Sequence, residues 1–359
     1  MDSSSEGVKY IAEGTYGCVF TSKIPCHNEI EDENKGDKKY VSKVSVESSD
    51  TSTVKEIAFG KVILTQIANY DYYFAPILSS CPVDIGVINE EEIEKCNVVQ
   101  NNKNKNYVSN TLKYVGKNTI LDHFDLLPDN KRKKLILESH IHLTKALDKL
   151  LSLDDPIIHF DLKDANIIFN DTFNVPNIID FGLSFTREEL LSASQKTEIL
   201  DSIFYAYADG YFVWNIEIVL ICYISQKIVM EQDVSTKELM YPYLEKLNEI
   251  VDTFVKGSYI FQDDDEKRLF VEGTNMFLEL FRNKPIHILI DALIGNWKSW
   301  DNYSIAMVFF SFIKNNTETD VCLINYRQLL KNILLSPAGA SRLQPKDTMN
   351  AIIELSRIK

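Results

Sequence analysis

The sequence predicts an α+β protein of two lobes, a small β-rich N-terminal lobe with one main helix and a larger, mostly helical C-terminal lobe. At 359 residues the chain is longer than one compact core usually needs. In the first third, β-forming residues recur at alternate positions, as they do in strands. After residue 129, apolar residues mostly recur at the spacing of a helix. Hydrophobic residues at 45% and charged residues at 25% exclude a mostly disordered chain.

The first third contains the elements of a small sheet. Residues 8–20 have β-forming residues at alternate positions on both sides of two glycines, which predicts a β-hairpin. The charged stretch 23–39 that follows is typical of a surface loop. Apolar residues at helical spacing over 53–68 predict the main helix of this lobe. Further strands are expected at 40–46, 74–81 and 108–115, the last two separated by a polar insert.

The rest of the chain is predicted to be mostly helical. Residues 131–153 form a long amphipathic pattern, followed by short apolar runs at 157–158 and 166–169. A strand is expected at 175–179, directly before Asp180. Beyond residue 212 the pattern is mostly helical. No repeat of solenoid period is visible in the sequence.

Charge and cysteine usage limit the class of protein. The net charge of −14 disfavours a general binder of nucleic acid or anionic membranes, since phosphate attraction needs clustered Lys and Arg. The six cysteines form no C-x-x-C pair, and the N-terminal residues show no targeting peptide. The most apolar stretch, 212–224, is too short to span a bilayer. We therefore expect free thiols and an intracellular, cytoplasmic protein.

Two polar runs carry the most specific chemical signal: His-Phe-Asp-Leu-Lys-Asp-Ala-Asn at 159–166 and Ile-Asp-Phe-Gly at 179–182. They resemble the H-R-D-L-x-x-x-N and D-F-G signatures of the eukaryotic-type protein kinase family. The resemblance implies that Asp161 accepts the proton of the attacking hydroxyl and that Lys163 neutralises charge on the transferring phosphoryl group. Asn166 and Asp180 are the implied ligands of Mg²⁺, with Mn²⁺ as an alternative ion, and ATP is the implied cofactor.

Upstream residues match the nucleotide-binding motifs of the same family. Residues 11–19 resemble its glycine-rich loop, although Ala12 replaces the first glycine. Lys43 corresponds to the ATP-binding lysine, with Glu56 on the following helix as its partner, and 110–116 resembles the hinge between lobes. The implied nucleotide contacts are Ile11, Ala12, Gly14, Gly17, Val19, Val41, Lys43, Glu56, Lys113, Val115 and Ile168.

The family resemblance also implies a division of the chain. The N-lobe covers 1–114 and the C-lobe 115–359, with a helical insert at about 218–298. Asp301 is expected to accept backbone hydrogen bonds from around His159, and Arg342 is expected to pair with Glu217, although the usual A-P-E motif is absent. The acidic run 263–266 within the insert is either a solvated loop or a docking surface for a basic partner.

The resemblance implies a Ser/Thr protein kinase that transfers the ATP γ-phosphate to protein hydroxyl groups, because Lys163 is typical of Ser/Thr rather than Tyr specificity. Two alternatives stay open: a pseudokinase-type binding or scaffold module, and a small-molecule kinase of the aminoglycoside or choline type. Ala12, Phe160, the missing A-P-E and the insert resemble features of kinases encoded by large DNA viruses. A viral protein would act in the host cytoplasm or the virion.

Overall fold

The computed structural model describes residues 8–14, 17–27, 39–47, 51–208, 210–229, 234–235, 237–313 and 320–357. They belong to two compact units, the first comprising Met1–Lys117 and Ile168–Gly182, the second Asn118–Ile167 and Leu183–Lys359. The sequence prediction divided the chain once, between residues 114 and 115. In the structure the segment 168–182 groups with the N-terminal unit, in which Ile178 forms an isolated parallel bridge with Phe74.

The first unit is built on a five-stranded antiparallel sheet. The strands are β1 (Tyr10–Gly14), β2 (Gly17–Thr21), β3 (Tyr40–Val46), β4 (Ile77–Val83) and β5 (Tyr107–Lys113). Their order is β1-β2-β3-β5-β4. The predicted hairpin and the predicted strand at 40–46 are confirmed, while β4 begins three residues later than expected.

One long helix, α1 (Thr51–Gln66), packs against β4. Gly60 permits the close contact, because a Cβ atom there would lie 2.5 Å from the carbonyl oxygen of Ile77. Two short helices, α2 (Glu90–Ile93) and α3 (Asn97–Gln100), lie in the segment predicted only as a polar insert.

Four of the six cysteines form disulfides, so the expectation of free thiols is wrong for these four. Cys18 is bonded to Cys96 and Cys26 to Cys81, while Cys222 and Cys322 are free and buried. The bonded pairs are separated by 78 and 55 residues in sequence, and the folded sheet brings them together. Disulfides are typical of proteins that fold in an oxidising environment.

The second unit is mostly helical. Its helices are α4 (Ile120–Asp125), α5 (Asp129–Leu151), α6 (Arg187–Ala193), α7 (Thr197–Ile203), α8 (Ile216–Tyr223), α9 (Tyr241–Gly257), α10 (Asp264–Glu279), α11 (Ile286–Ile294), α12 (Trp300–Ile313), α13 (Val321–Leu334) and α14 (Pro345–Ser356). A π-helical turn, Ile224–Val229, extends α8. Short strands β6 (Ile157–Ile158) and β9 (Phe185–Thr186) pair with each other. Strands β7 (Ile167–Asn170) and β8 (Val175–Ile178) also pair with each other, and apart from Ile167 they belong to the first unit.

Helix α12 forms the centre of this unit. Nearly all of its side chains are buried, polar ones included, and it packs against both α5 and α13. A helix that is buried on all sides must satisfy its polar side chains internally. Asn302, for example, donates to the carbonyl oxygen of Leu343 and to Thr348 Oγ1, both at 2.8 Å.

The acidic run of the predicted insert begins α10 rather than forming a loop. Asp263 caps the helix by accepting from the Glu266 N–H at 2.8 Å. Glu266 also forms an ion pair with Lys331 of α13. The run therefore has a structural role at a helix N-terminus, where negative charge is favourable. A basic partner for it stays a prediction.

Crossing a bilayer as a helix requires about 20 mostly apolar residues. Among the helices of the described residues, none combines the necessary length with the necessary apolar character.

Candidate active site

Four of the predicted nucleotide contacts, Ala12, Val19, Val41 and Lys43, lie on one face of the sheet, whereas Ile11 lies at a bulge in β1. Ala12 is opposite Val19, Val19 is opposite Lys43, and Val41 shares the face of Lys43 because side chains alternate along a strand. These side chains are exposed or partly exposed. The side chains of the other face, including Phe20 and those of the Cys18–Cys96 disulfide, are buried in a hydrophobic core.

Lys43 joins two carboxylates within the first unit. Its Nζ lies 3.2 Å from Glu56 Oε2 and 3.0 Å from Asp180 Oδ1, so the predicted Lys43–Glu56 pairing is confirmed. Burial by itself would lower the pKa of Lys43, but the two carboxylates outweigh it and the net shift is upward. Lys43 therefore carries a positive charge that is fixed in position by α1 and by the segment after β8.

Asp180 adopts a backbone conformation that is unusual for a residue other than glycine. Its φ is +62°, in the left-handed region, and the next side chain, Phe181, is buried against Phe74 at a ring distance of 6.0 Å. Burial of Phe181 fixes the chain on one side of Asp180, and the ion pair with Lys43 fixes the carboxylate. Such conformations cluster at functional sites, where the surrounding structure enforces them.

The turn between β1 and β2 is held from its outer side. Gly17 must be glycine, since a Cβ atom would lie 2.5 Å from the Val44 carbonyl oxygen. Glu13 accepts hydrogen bonds from the Val98 N–H at 2.9 Å and from Asn97 Nδ2 at 2.8 Å. Residues 15 and 16 at the tip of the predicted phosphate-binding turn lie outside the described residues. Strand β1 is thus bound to α3 by the polar contacts of Glu13. Strand β2 is bound by the Cys18–Cys96 disulfide to the residue before α3.

The segment after β5 uses part of its backbone internally. The Tyr114 N–H donates to the Lys39 carbonyl oxygen at 2.8 Å, and the Val115 carbonyl oxygen accepts from the Asp171 N–H at 3.0 Å. The Lys113 side chain forms an ion pair with Asp71 at 2.9 Å. The adenine contacts predicted for Lys113 and Val115 would therefore involve other backbone groups, and they stay a prediction, as does that of the partly buried Ile168.

In the second unit, three side chains converge on the Asp161 carboxylate. Asp161 Oδ2 accepts from Lys163 Nζ at 2.9 Å and from Asn166 Nδ2 at 3.0 Å. Asn166 Nδ2 also donates to the Asp161 carbonyl oxygen at 2.8 Å. The hydroxyl of Tyr211 donates to Asp161 Oδ1. One loop was predicted to contain Asp161, Lys163 and Asn166. Tyr211 was not predicted to be part of the site, because it belongs to no recognisable motif.

Burial raises the pKa of the Tyr211 hydroxyl, and the neighbouring Asp161 carboxylate raises it further. The phenol is therefore a neutral hydrogen-bond donor at physiological pH. Asp161 is buried and makes hydrogen bonds through both side-chain oxygens. A carboxylate in this setting has a defined orientation, which is a requirement for a general base.

The loop that carries Asp161 is anchored by α12, as the sequence predicted. Asp301 Oδ2 accepts from the His159 N–H at 2.8 Å, and Asp301 Oδ1 accepts from the Phe160 N–H at 2.9 Å. Phe160 has a φ of +70°, and its carbonyl oxygen accepts from Trp214 Nε1 at 2.9 Å. Its ring packs against Phe185 at a centroid distance of 5.0 Å. Aromatic packing thus occupies the position where many kinases place an arginine.

The predicted Glu217–Arg342 ion pair is present. Arg342 Nη2 lies 2.9 Å from Glu217 Oε2 and 3.0 Å from Oε1, and neither side chain has measurable exposure. Arg342 Nη1 donates to Ser299 Oγ at 3.2 Å. The pair joins the start of α8 to the loop before α14, even though the family's A-P-E motif is absent.

Oxygen donors suited to a hard divalent cation occur at both predicted metal ligands. Asp180 supplies a carboxylate, and the Asn166 amide nitrogen faces Asp161, so its oxygen lies on the other side of the amide group. Carboxylate and amide oxygens fit Mg²⁺. Among the described residues, the His, Cys, Asp and Glu side chains that cluster closely enough to hold a metal ion are Glu13, Cys18 and Cys96. Its cysteines form a disulfide and cannot act as thiolate ligands.

Comparison with known proteins supports a kinase-like relationship. No protein-family model matches the chain. A stretch of 72 residues, 20% of the chain, is 36% identical to the probable inactive serine/threonine-protein kinase samkD of Dictyostelium discoideum, and the match spans 13% of that protein's length. This similarity, the α+β fold and the polar clusters around Lys43 and Asp161 together indicate a kinase-like relationship.

Proposed function

We propose that this chain is a Ser/Thr protein kinase that transfers the ATP γ-phosphate to protein hydroxyl groups. The observation that carries the proposal is that Lys43 forms two ion pairs, one with Glu56 and one with Asp180. A protein that had lost nucleotide chemistry would have no need to keep a partly buried lysine between two carboxylates, because charges removed from water are costly to maintain. In this proposal the lysine would contact the ATP phosphates.

Asp161 is the proposed general base. Lys163 and Asn166 hold its Oδ2, so Oδ1 is the oxygen toward which an acceptor hydroxyl would be oriented. The hydroxyl proton would pass to this carboxylate as the oxygen attacks the γ-phosphorus. Lys163, ion-paired to the carboxylate, would also offset the charge that develops on the phosphoryl group.

Asp180 and Asn166 are the proposed Mg²⁺ ligands. When bound, the ion would neutralise phosphate charge and draw electrons from the phosphoryl group. The ion pair with Lys43 holds the Asp180 carboxylate in place before any metal binds. This preorganisation reduces the conformational entropy that metal binding would otherwise cost.

Phosphate transfer from labelled ATP to dephosphorylated casein tests the proposal. The wild-type chain is expected to label casein in a Mg²⁺-dependent reaction, and Asp161→Asn is expected to lower kcat by at least about 100-fold, since the amide cannot accept a proton. Nucleotide binding should be retained. Wild-type activity in Asp161→Asn, or no transfer by the wild type to any protein, would contradict the proposal.

A second candidate is a nucleotide-binding module without turnover. Two observations favour it: the Tyr211 hydroxyl occupies Asp161 Oδ1, and the relative samkD is named a probable inactive kinase. Such a module would be stabilised by Mg-ATP but would label neither casein nor itself. The predicted likeness to viral kinases and the predicted cytoplasmic location stay predictions.

A further inference from the structure

The Tyr211 hydroxyl lies at the atom where an acceptor hydroxyl is required. Lys163 and Asn166 both bind Asp161 Oδ2, whereas Oδ1 accepts from Tyr211. A protein substrate that reached Asp161 would have to displace this phenol. In the described structure the base therefore already holds a hydroxyl that belongs to the chain itself.

The backbone around Tyr211 holds this hydroxyl in place. The Tyr211 N–H donates to the Ala208 carbonyl oxygen at 3.3 Å, and the Tyr211 carbonyl oxygen accepts from the Trp214 N–H at 3.0 Å. The Tyr211 ring contacts the Trp214 ring edge to face at 5.0 Å, and Trp214 is itself bonded to the Phe160 carbonyl oxygen. Tyr211 is thus connected to the residue that precedes the proposed base.

On the basis of the function proposed above, we propose that Tyr211 is the first phosphoacceptor of this enzyme, modified by its own active site. Tyr211 Oη would attack the γ-phosphorus of Mg-ATP and form a phosphate ester. The bond from the γ-phosphorus to the bridging oxygen would break, ADP would leave, and the phenol proton would pass to Asp161 Oδ1. A phenol held on the base needs no selection by a substrate groove, because intramolecular placement supplies a high effective concentration.

Phosphorylation would release Tyr211 from Asp161. A phosphotyrosine carries a charge of about −1.5 to −2 at pH 7, which the adjacent Asp161 carboxylate would repel. A cavity of about 280 Å³ lies beside Tyr211, and the charged residues that line it are Lys163 and Asp164. The cavity is also lined by Gly210, Phe212, Val213, Tyr259 and Met307. The modified side chain has room to move there, which would open Asp161 Oδ1 to other acceptors.

Mass spectrometry of the full chain after timed incubation with Mg-ATP tests the proposal. Phosphate is expected on Tyr211 before casein is labelled, at a first-order rate that does not change on tenfold dilution of the protein. Casein labelling should begin with a lag. Tyr211→Phe should remove both the phosphate and the lag, whereas Tyr223→Phe, on α8, should leave both unchanged.

A binding measurement without nucleotide provides a second readout. Tyr211→Phe should bind casein about two- to tenfold more tightly than the wild type, because the competing hydrogen bond is gone. Casein labelling without a lag and with Tyr211 unmodified would overturn this inference and leave the kinase proposal intact. Slower labelling by Tyr211→Phe would show a positioning role instead and would also overturn it. Labelling of neither casein nor the chain would overturn both proposals.

Discussion

Lys43 contacts carboxylates that lie 13 and 137 residues away in sequence. The nearer one, Glu56, follows from the length of the connection between β3 and α1. The farther one, Asp180, depends on the left-handed backbone at that residue and on the burial of Phe181. The position of a charged side chain thus depends on how the neighbouring residues pack.

Asp180→Ala is expected to abolish the Mg-ATP-dependent rise in melting temperature. A ligand that binds the folded state stabilises it by RT ln(1 + [L]/Kd), and the variant lacks a proposed metal ligand and one partner of Lys43. Differential scanning fluorimetry with and without Mg-ATP measures the effect. Glu94→Ala, which removes an exposed carboxylate from the same unit, should shift like the wild type. Equal shifts for the Asp180 and Glu94 variants would remove Asp180 from the metal site.

At the scale of elements, covalent and ionic links join segments that the chain separates widely. The Cys18–Cys96 disulfide connects β2 to the residue before α3, and Glu13 of β1 binds the backbone of the same helix. The strands that flank the proposed phosphate-binding turn therefore share one anchor. In the second unit, the Glu217–Arg342 pair connects α8 to the segment before α14 in the same way.

Replacement of both Cys18 and Cys96 by alanine is expected to lower the free energy of unfolding by about 2–4 kcal/mol, since the disulfide limits the unfolded chain. Urea unfolding measures the loss. Thiol titration of the denatured, unreduced wild type should count the two free cysteines, Cys222 and Cys322. Six titratable thiols without reductant, or no loss of stability in the double variant, would argue against the disulfide.

Glu217→Gln is expected to lower the free energy of unfolding by about 3–5 kcal/mol, because Arg342 would keep its buried charge without a charged partner. The matched control is Glu279→Gln, which removes one member of an exposed ion pair with Arg282. Exposed pairs contribute at most about 1 kcal/mol. Equal losses in urea unfolding would mean that the Glu217 pair is not buried in solution.

At the scale of the whole molecule, the core of the second unit contains a titratable group that has to remain neutral. His140 on α5 stacks on Phe309 of α12 at a centroid distance of 4.5 Å, and its Nδ1 lies 2.7 Å from the Tyr326 hydroxyl of α13. Complete burial lowers the pKa of His140 to about 3. The three central helices therefore meet at a residue that resists protonation.

The stability contributed by neutral His140 should be complete above the unfolded pKa of about 6.5 and should be lost progressively as the pH falls toward 3. The unfolded chain binds a proton in this range and the folded chain does not. His140→Phe should be about 1–3 kcal/mol less stable at pH 7, because Tyr326 loses its partner. It should nevertheless lose less stability than the wild type between pH 6.5 and 4. Parallel pH profiles in urea unfolding would contradict this assignment.

The sequence by itself determined the α+β class, the hairpin, and the helix that carries Glu56. The Lys43–Glu56 and Asp301–His159 contacts were also predicted, because each belongs to a motif whose spacing is recognisable in a kinase-like chain. The Glu217–Arg342 pair was predicted from the family resemblance although the A-P-E motif is absent. Residue alternation and helical periodicity are local properties, and they survive without knowledge of distant neighbours.

Only the tertiary structure decided which cysteines pair, that the segment 168–182 groups with the N-terminal unit, and that Tyr211 reaches Asp161. Each of these depends on two segments that meet in space without sharing a local pattern. Tyr211 and Asp161 are 50 residues apart, and their contact follows from the turn at Trp214 and the left-handed backbone of Phe160. Periodicity carries no information on such contacts, since they arise when side chains pack into a common core.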